Sequence, residues 1–150
     1  MIFNQRDTDE SFIKPISEEY FDYFKEREIV SDEYFRALRN GEYGILEENM
    51  LLINNTPFCL NCLLGESKES IFDIRGTNSL YGVSKDEGTA IAVLYGDDYI
   101  FLKPNDPKIY YKSISTDEEL LIADTYNGFI KKLSFQEVDE WEILIRDLFL

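Results

Sequence analysis

Between Thr89 and Ile114 three extended runs alternate with two tight turns, and this stretch constrains the fold more than any other. Residues 89–95 are apolar throughout, as expected of a strand buried on both faces. Gly96-Asp97-Asp98 supplies a turn, and residues 99–103 return as a second strand. Pro104-Asn105-Asp106-Pro107 makes the next turn, and residues 108–114 form a third strand. Connections this short join only antiparallel neighbours, so the pattern predicts an antiparallel meander.

Helical signals lie on either side of the β region. Ser17-Glu18-Glu19 reads as a helix start, a capping hydroxyl followed by carboxylates in the first turn. Tyr20, Phe21 and Phe24 then fall on one face. Ser31-Asp32-Glu33 repeats the signal, Tyr34, Phe35 and Leu38 form a second apolar stripe, and Asn40-Gly41 is a stop. Extended segments are predicted over Met50–Ile53, residues 58–64 and residues 70–74, divided by Asn54-Asn55-Thr56-Pro57 and Gly65. Residues 76–88, rich in Gly, Ser and charge, read as a loop.

Toward the end, Thr116-Asp117-Glu118-Glu119 marks a turn and residues 125–133 a helix weakened by Gly128. Ser134-Phe135-Gln136-Glu137 matches a capping box, followed by Val138, Trp141, Ile145 and Leu148 at helical spacing. The order predicts an α+β fold: a single antiparallel sheet, a meander, with N-terminal and C-terminal helices packed on it. One domain over residues 1–150, with an irregular lead-in at 1–14, fits the length.

Ten Tyr, 11 Phe and 44% hydrophobic residues supply a core, unlike a disordered acidic tail. Fifteen basic side chains face thirty acidic ones, a net charge of −15. The excess is even, with 8 basic and 16 acidic residues in 1–75 and 7 and 14 in 76–150. Such a surface repels phosphate backbones and anionic lipid, so neither nucleic acid nor membrane is expected as a partner. It suits a basic protein, and it equally suits plain solubility. No apolar stretch reaches 18 residues, and no basic segment precedes an apolar run at the start, so a cytoplasmic location is expected.

Catalytic parts are sparse. There is no histidine, which removes the commonest general base, the commonest metal ligand and every Ser-His or Cys-His nucleophile. Carboxylate chemistry stays open, but among thirty Asp and Glu no pair stands out from a solvated acidic face. Cys59-Leu60-Asn61-Cys62 has redox or zinc half-site spacing, yet no other Cys or His completes a tetrahedral site. In a strand-like run a separation of three points the thiols to opposite faces, so both are expected as reduced, structural cysteines. Asp97, Asp98 and Asp106 lack EF-hand spacing and are ordinary turn residues. No phosphate-binding glycine loop occurs, and no cofactor or metal and no enzymatic activity is expected.

The order of these segments resembles the SUKH superfamily, the Smi1/Knr4-like domains. Val30-Ser31-Asp32-Glu33-Tyr34-Phe35-Arg36-Ala37-Leu38-Arg39-Asn40-Gly41 is similar to that family's helical pattern ending in N-G, with Ser31 in place of the usual proline. Residues 58–65 resemble its strand and glycine turn, and Ile91-Ala92-Val93-Leu94-Tyr95-Gly96-Asp97-Asp98-Tyr99-Ile100-Phe101-Leu102 is similar to its meander. Residues 108–114 and 129–133 correspond to its next strand and helix, so the resemblance covers roughly 15–135.

The resemblance implies a bacterial immunity protein that neutralises a cognate toxin in the cytoplasm. Many such toxins are nucleases with basic grooves. The alternative is a regulatory or scaffold protein of the Smi1/Knr4 kind, binding a cellular partner. For the toxin-binding reading the expected contacts are Asp97, Asp98 and Tyr99 at the meander turn, with Tyr110 and Tyr111 on the following strand. Carboxylates there would steer a basic partner, and aromatic rings would anchor it.

Overall fold

A computed structural model describes residues 14–134. Two helices, α1 (Glu19–Glu26) and α2 (Asp32–Arg39), lead into strands β1 (Met50–Ile53) and β2 (Thr56–Leu63). Helix α3 (Ile74–Leu80) intervenes before β3 (Thr89–Leu94), β4 (Tyr99–Leu102), β5 (Ile109–Lys112) and β6 (Glu119–Ala123), and α4 (Tyr126–Lys131) follows. The six strands form one sheet in sequence order, each antiparallel to the next. The fold is therefore α+β, a meander with helices at both ends packed on it.

The predicted β3 is buried at every position, because helices and loops cover both faces of the sheet there. Phe24 of α1, Tyr34 and Leu38 of α2, and Tyr126 and Phe129 of α4 share one core with Ile91, Ile100 and Leu102. Aromatic rings join the helices: Phe24 stacks on Phe35 at 5.8 Å, and Tyr34 lies 5.2 Å from Tyr126. Such pairs add about 0.5–1.5 kcal/mol each beyond area burial. Arg27, just past α1, donates to Thr89 Oγ1 at 2.8 Å and to the carbonyls of Val83 and Gly88 at 2.7 Å. That fork ties the 83–88 loop to the first helix.

Local chemistry explains which element boundaries match expectation. Ser31 caps α2, its hydroxyl accepting from Tyr34 N–H at 3.2 Å. Thr125 caps α4 in the same way, accepting from Gly128 N–H at 3.0 Å. Asn54 and Asn55 take φ of 51° and 66° and close the β1–β2 hairpin in two residues, as asparagine pairs do. Thr56 and Pro57, expected in that turn, belong to β2 instead, Pro57 opposite Leu52.

Four further expectations are corrected. Ser17 does not cap α1: the N-cap is Glu18, with no side-chain bond, and Ser17 binds Glu66 instead. Residues 70–74 are not a strand, because Asp73 caps α3, its carboxylate accepting from Gly76 N–H at 2.9 Å.

Residues 76–88 are not simply a loop, since α3 runs to Leu80. Its sequence, IRGTNSL, is poor in helix formers, so tertiary bonds hold it. Asn78 accepts from Ala90 N–H at 2.8 Å and donates to Ala90 O at 3.0 Å, clamping α3 to the backbone of β3. Finally, Glu119–Ala123 form β6, where only a turn at 116–119 and a later helix are expected. Its alternation is weak because Leu121 is exposed at the sheet edge, and the strand is fixed by its neighbours. Lys112 pairs with Asp117 at 2.7 Å and Glu119 at 3.5 Å, and Lys103 reaches Glu119 at 2.9 Å.

Ser134 bridges back to Met50 across the outer edge of β1, with both N–H···O distances 2.9 Å. All of the 1–14 lead-in but Lys14, the remainder of the expected capping box and the expected helix with Trp141 lie outside the described residues.

Packing of so many tyrosines makes the fold alkali-sensitive. Burial, foremost, lifts the Tyr43, Tyr81 and Tyr111 hydroxyls from 10.0 to about 12. For Tyr110 a hydrogen bond to Asp106 comes first, also to about 12. Burial raises Tyr20, Tyr34 and Tyr126 too. The folded chain thus holds these protons more tightly than the unfolded chain, whose tyrosines ionise near 10. The resulting stabilisation is complete below pH 10 and is lost as pH rises from 10 through about 12. Tyrosinate absorbance and far-ultraviolet dichroism are expected to change together over that window. Ionisation of most of the ten tyrosines near pH 10 with the fold intact would contradict the burial described above.

Candidate partner-binding site

The acidic turn at Gly96-Asp97-Asp98 forms the tip of the β3–β4 hairpin. Leu94 N–H donates to Asp98 O at 2.8 Å, and Tyr95 N–H donates to Cys59 O at 3.0 Å, anchoring the tip to β2. Gly96 and Asp97 take φ of 96° and 73°, a region that glycine and aspartate enter more readily than other residues. The tip closes tightly for that reason.

The two carboxylates at this tip differ in role. Asp98 is half-buried and committed: Tyr111 Oη donates to it at 2.6 Å and Ile114 N–H at 3.1 Å. Asp97 is exposed, with only Tyr81 Oη near, at 3.3 Å.

The predicted tyrosines also separate. Tyr99 is buried in a ladder between Tyr81, at 6.0 Å, and Phe101, at 5.7 Å. Tyr111 is buried on the other face, 5.5 Å from Phe58. Tyr110 pairs with Phe101 and Tyr111 with Ile100, so adjacent residues point to opposite faces. Tyr110 is half-buried; its hydroxyl donates to Asp106 at 2.7 Å, and Lys103 Nζ lies 4.3 Å over its ring. The structure therefore brings Asp98 and Tyr111 together by a hydrogen bond on one face of the sheet, and places Tyr99 and Tyr110 on the other face, joined through Phe101. Of the five, Asp97 is the one fully offered to solvent.

Beside Asp97 lies a groove of about 260 Å³ that sequence reasoning does not indicate. Ile71, Leu80 and Tyr95 form its rim, with Val93 and Leu94 lining it beneath. Tyr95 reads as the last residue of a buried strand, and Leu80 sits in a stretch that reads as loop. The available signal is negative: apolar side chains at the very ends of elements, where no partner in the pattern covers them.

A second recess, of about 430 Å³, is lined by Lys14, Ser17, Tyr20, Glu66, Lys68 and Arg75 among others. Several of its polar groups engage one another. Glu66 accepts from Ser17 N–H and Oγ at 2.7 Å, Tyr20 Oη donates to Asp73, and the Arg75 guanidinium lies 4.2 Å over the Tyr20 ring. This network joins α1 to the start of α3.

Among the described residues no three His, Cys, Asp or Glu side chains are placed to hold a metal. Both cysteines are free thiols; Cys62 is buried, which pushes its thiol up to about 12, whereas Cys59 is half-buried. A thiol needs its thiolate to react. A neutral alkylating reagent should modify one thiol of the folded chain, Cys59, and reach the second only after unfolding; fast modification of two would contradict this. Among the described residues no helix is long and apolar enough to cross a membrane.

Comparison of the chain with protein-family models, with curated proteins and with solved structures gives no match.

Proposed function

We propose that this chain is a cytoplasmic immunity protein that binds a basic bacterial toxin domain, possessing nuclease or other activity, and neutralises it by stoichiometric masking. The observation that carries this reading is the acidity of the packed domain: residues 14–134 hold 13 basic and 22 acidic side chains, a net charge of −9. The SUKH-like order of segments agrees with it. A field of that sign speeds encounter with a cationic partner and repels nucleic acid. The exposed Asp97 at a rigid hairpin tip gives such a partner one fixed carboxylate to meet.

Co-expression with the toxin-like gene next to this one tests the reading. Growth should be restored, and the two proteins should purify together in a complex that loosens as salt is raised. No rescue and no complex would remove the proposal and leave the regulatory reading, a domain that binds a cellular protein with no toxin involved.

A further inference from the structure

We infer that the groove between the end of α3 and the β3–β4 tip is the docking surface, and that it takes an apolar side chain flanked by arginine or lysine on a partner protein. The inference rests on the reading of the chain as a binder of a basic protein and says which face binds and what it recognises. Seven large hydrophobic side chains are exposed among the described residues, and three of them line this single groove. Ile71 is 51% exposed, Leu80 64% and Tyr95 64%. Scattered exposed apolar residues are ordinary, but a convergent set on one concavity marks an interaction site.

The groove is also preformed. Asn78 holds α3 to the backbone of Ala90, and the hairpin tip is fixed by Leu94 N–H on Asp98 O. A surface that is already ordered loses little entropy when a partner docks. At about 260 Å³ it is smaller than the 300–1,000 Å³ or so of small-ligand pockets and fits an anchoring side chain.

Charge selects the occupant. The one ionised side chain lining the groove is Asp97. An apolar anchor with a cation beside it satisfies both the rim and that carboxylate. A second copy of this chain is disfavoured, because two molecules of charge −15 repel each other.

The test uses three synthetic peptides, each in a Gly/Ser background: Phe between two Arg, Phe between two Glu, and Ala between two Arg. Amide shifts of the full chain are followed by NMR during titration. The Phe/Arg peptide should shift Leu80, Tyr95, Gly96 and Asp97 together and saturably, at least tenfold more tightly than either other peptide. Leu80→Glu should abolish those shifts, and Asp97→Asn should weaken binding two- to fivefold and flatten its salt dependence. Absence of saturable shifts, shifts mapping elsewhere, or equal binding of the Phe/Glu peptide would overturn the inference. So would sedimentation as a dimer that Leu80→Glu dissociates, which would assign the groove to a second copy.

Two further outcomes separate this inference from the reading beneath it. If Leu80→Glu and Tyr95→Glu chains with wild-type dichroism still protect fully against the toxin, the groove inference fails and immunity stands. If the wild-type chain gives no protection while the peptide maps to the groove, immunity fails and the docking surface stands.

Discussion

Replacing Gly65 by alanine is expected to destabilise the fold by about 3 kcal/mol or more, at the upper end of overpacking effects. A Cβ at this position would lie 1.9 Å from Tyr43 Cδ2 and 2.3 Å from its Cγ. These atoms are near the root of the ring, so a small rotamer change does not relieve the clash. Tyr43 is itself held: it is 1% exposed, and its hydroxyl donates to Lys14 O at 2.8 Å. The backbone of Gly65 is equally fixed, between Phe72 O at 3.1 Å and Ile74 N–H at 2.8 Å. Thermal denaturation should show a fall in Tm of roughly 10 °C. A double-mutant cycle checks the cause, since Tyr43→Ala should cost much less in the Gly65→Ala background than in the wild type. Additive losses would show that the ring contact is not responsible.

Asp73→Ala should cost about 3 kcal/mol, because one buried carboxylate serves three donors. Tyr20 Oη and Ser67 N–H, the latter at 3.1 Å, share its Oδ1, and Gly76 N–H takes Oδ2 at 2.9 Å. Alanine leaves all three without their acceptor and uncaps α3 while loosening it from α1. Asp73→Asn keeps one carbonyl acceptor and should lose less. Hydrogen exchange supplies the specific readout: the Gly76 amide should lose protection in both variants, more in the alanine one. A change of Tm within experimental error for Asp73→Ala would remove Asp73 from this role.

Legibility in the sequence followed how local each cause is. The β3–β4–β5 meander was readable because two short turns and a fully apolar run leave few alternatives. Capping of α2 was readable because Ser31 acts within three residues of itself. Ser17 misleads for the opposite reason: its hydroxyl is drawn to Glu66, 49 positions away. Helix α3 could not be read, since its stability lies in the Asn78 clamp on Ala90, and β6 could not, since its pairing with β5 makes it a strand. At the candidate site the turn carboxylates were readable, but which one faces solvent was not.

By itself, the sequence determined the class of the protein: an acidic α+β domain with an antiparallel meander and no histidine. Periodicity, turn chemistry and net charge are local or summed properties, so a chain carries them openly. Tertiary structure alone decided that Asp98, Tyr99 and Tyr111 are spent on packing, and that Ile71, Leu80 and Tyr95 meet beside Asp97. Exposure depends on what covers a side chain, and the covering residues here come from segments far apart in the chain.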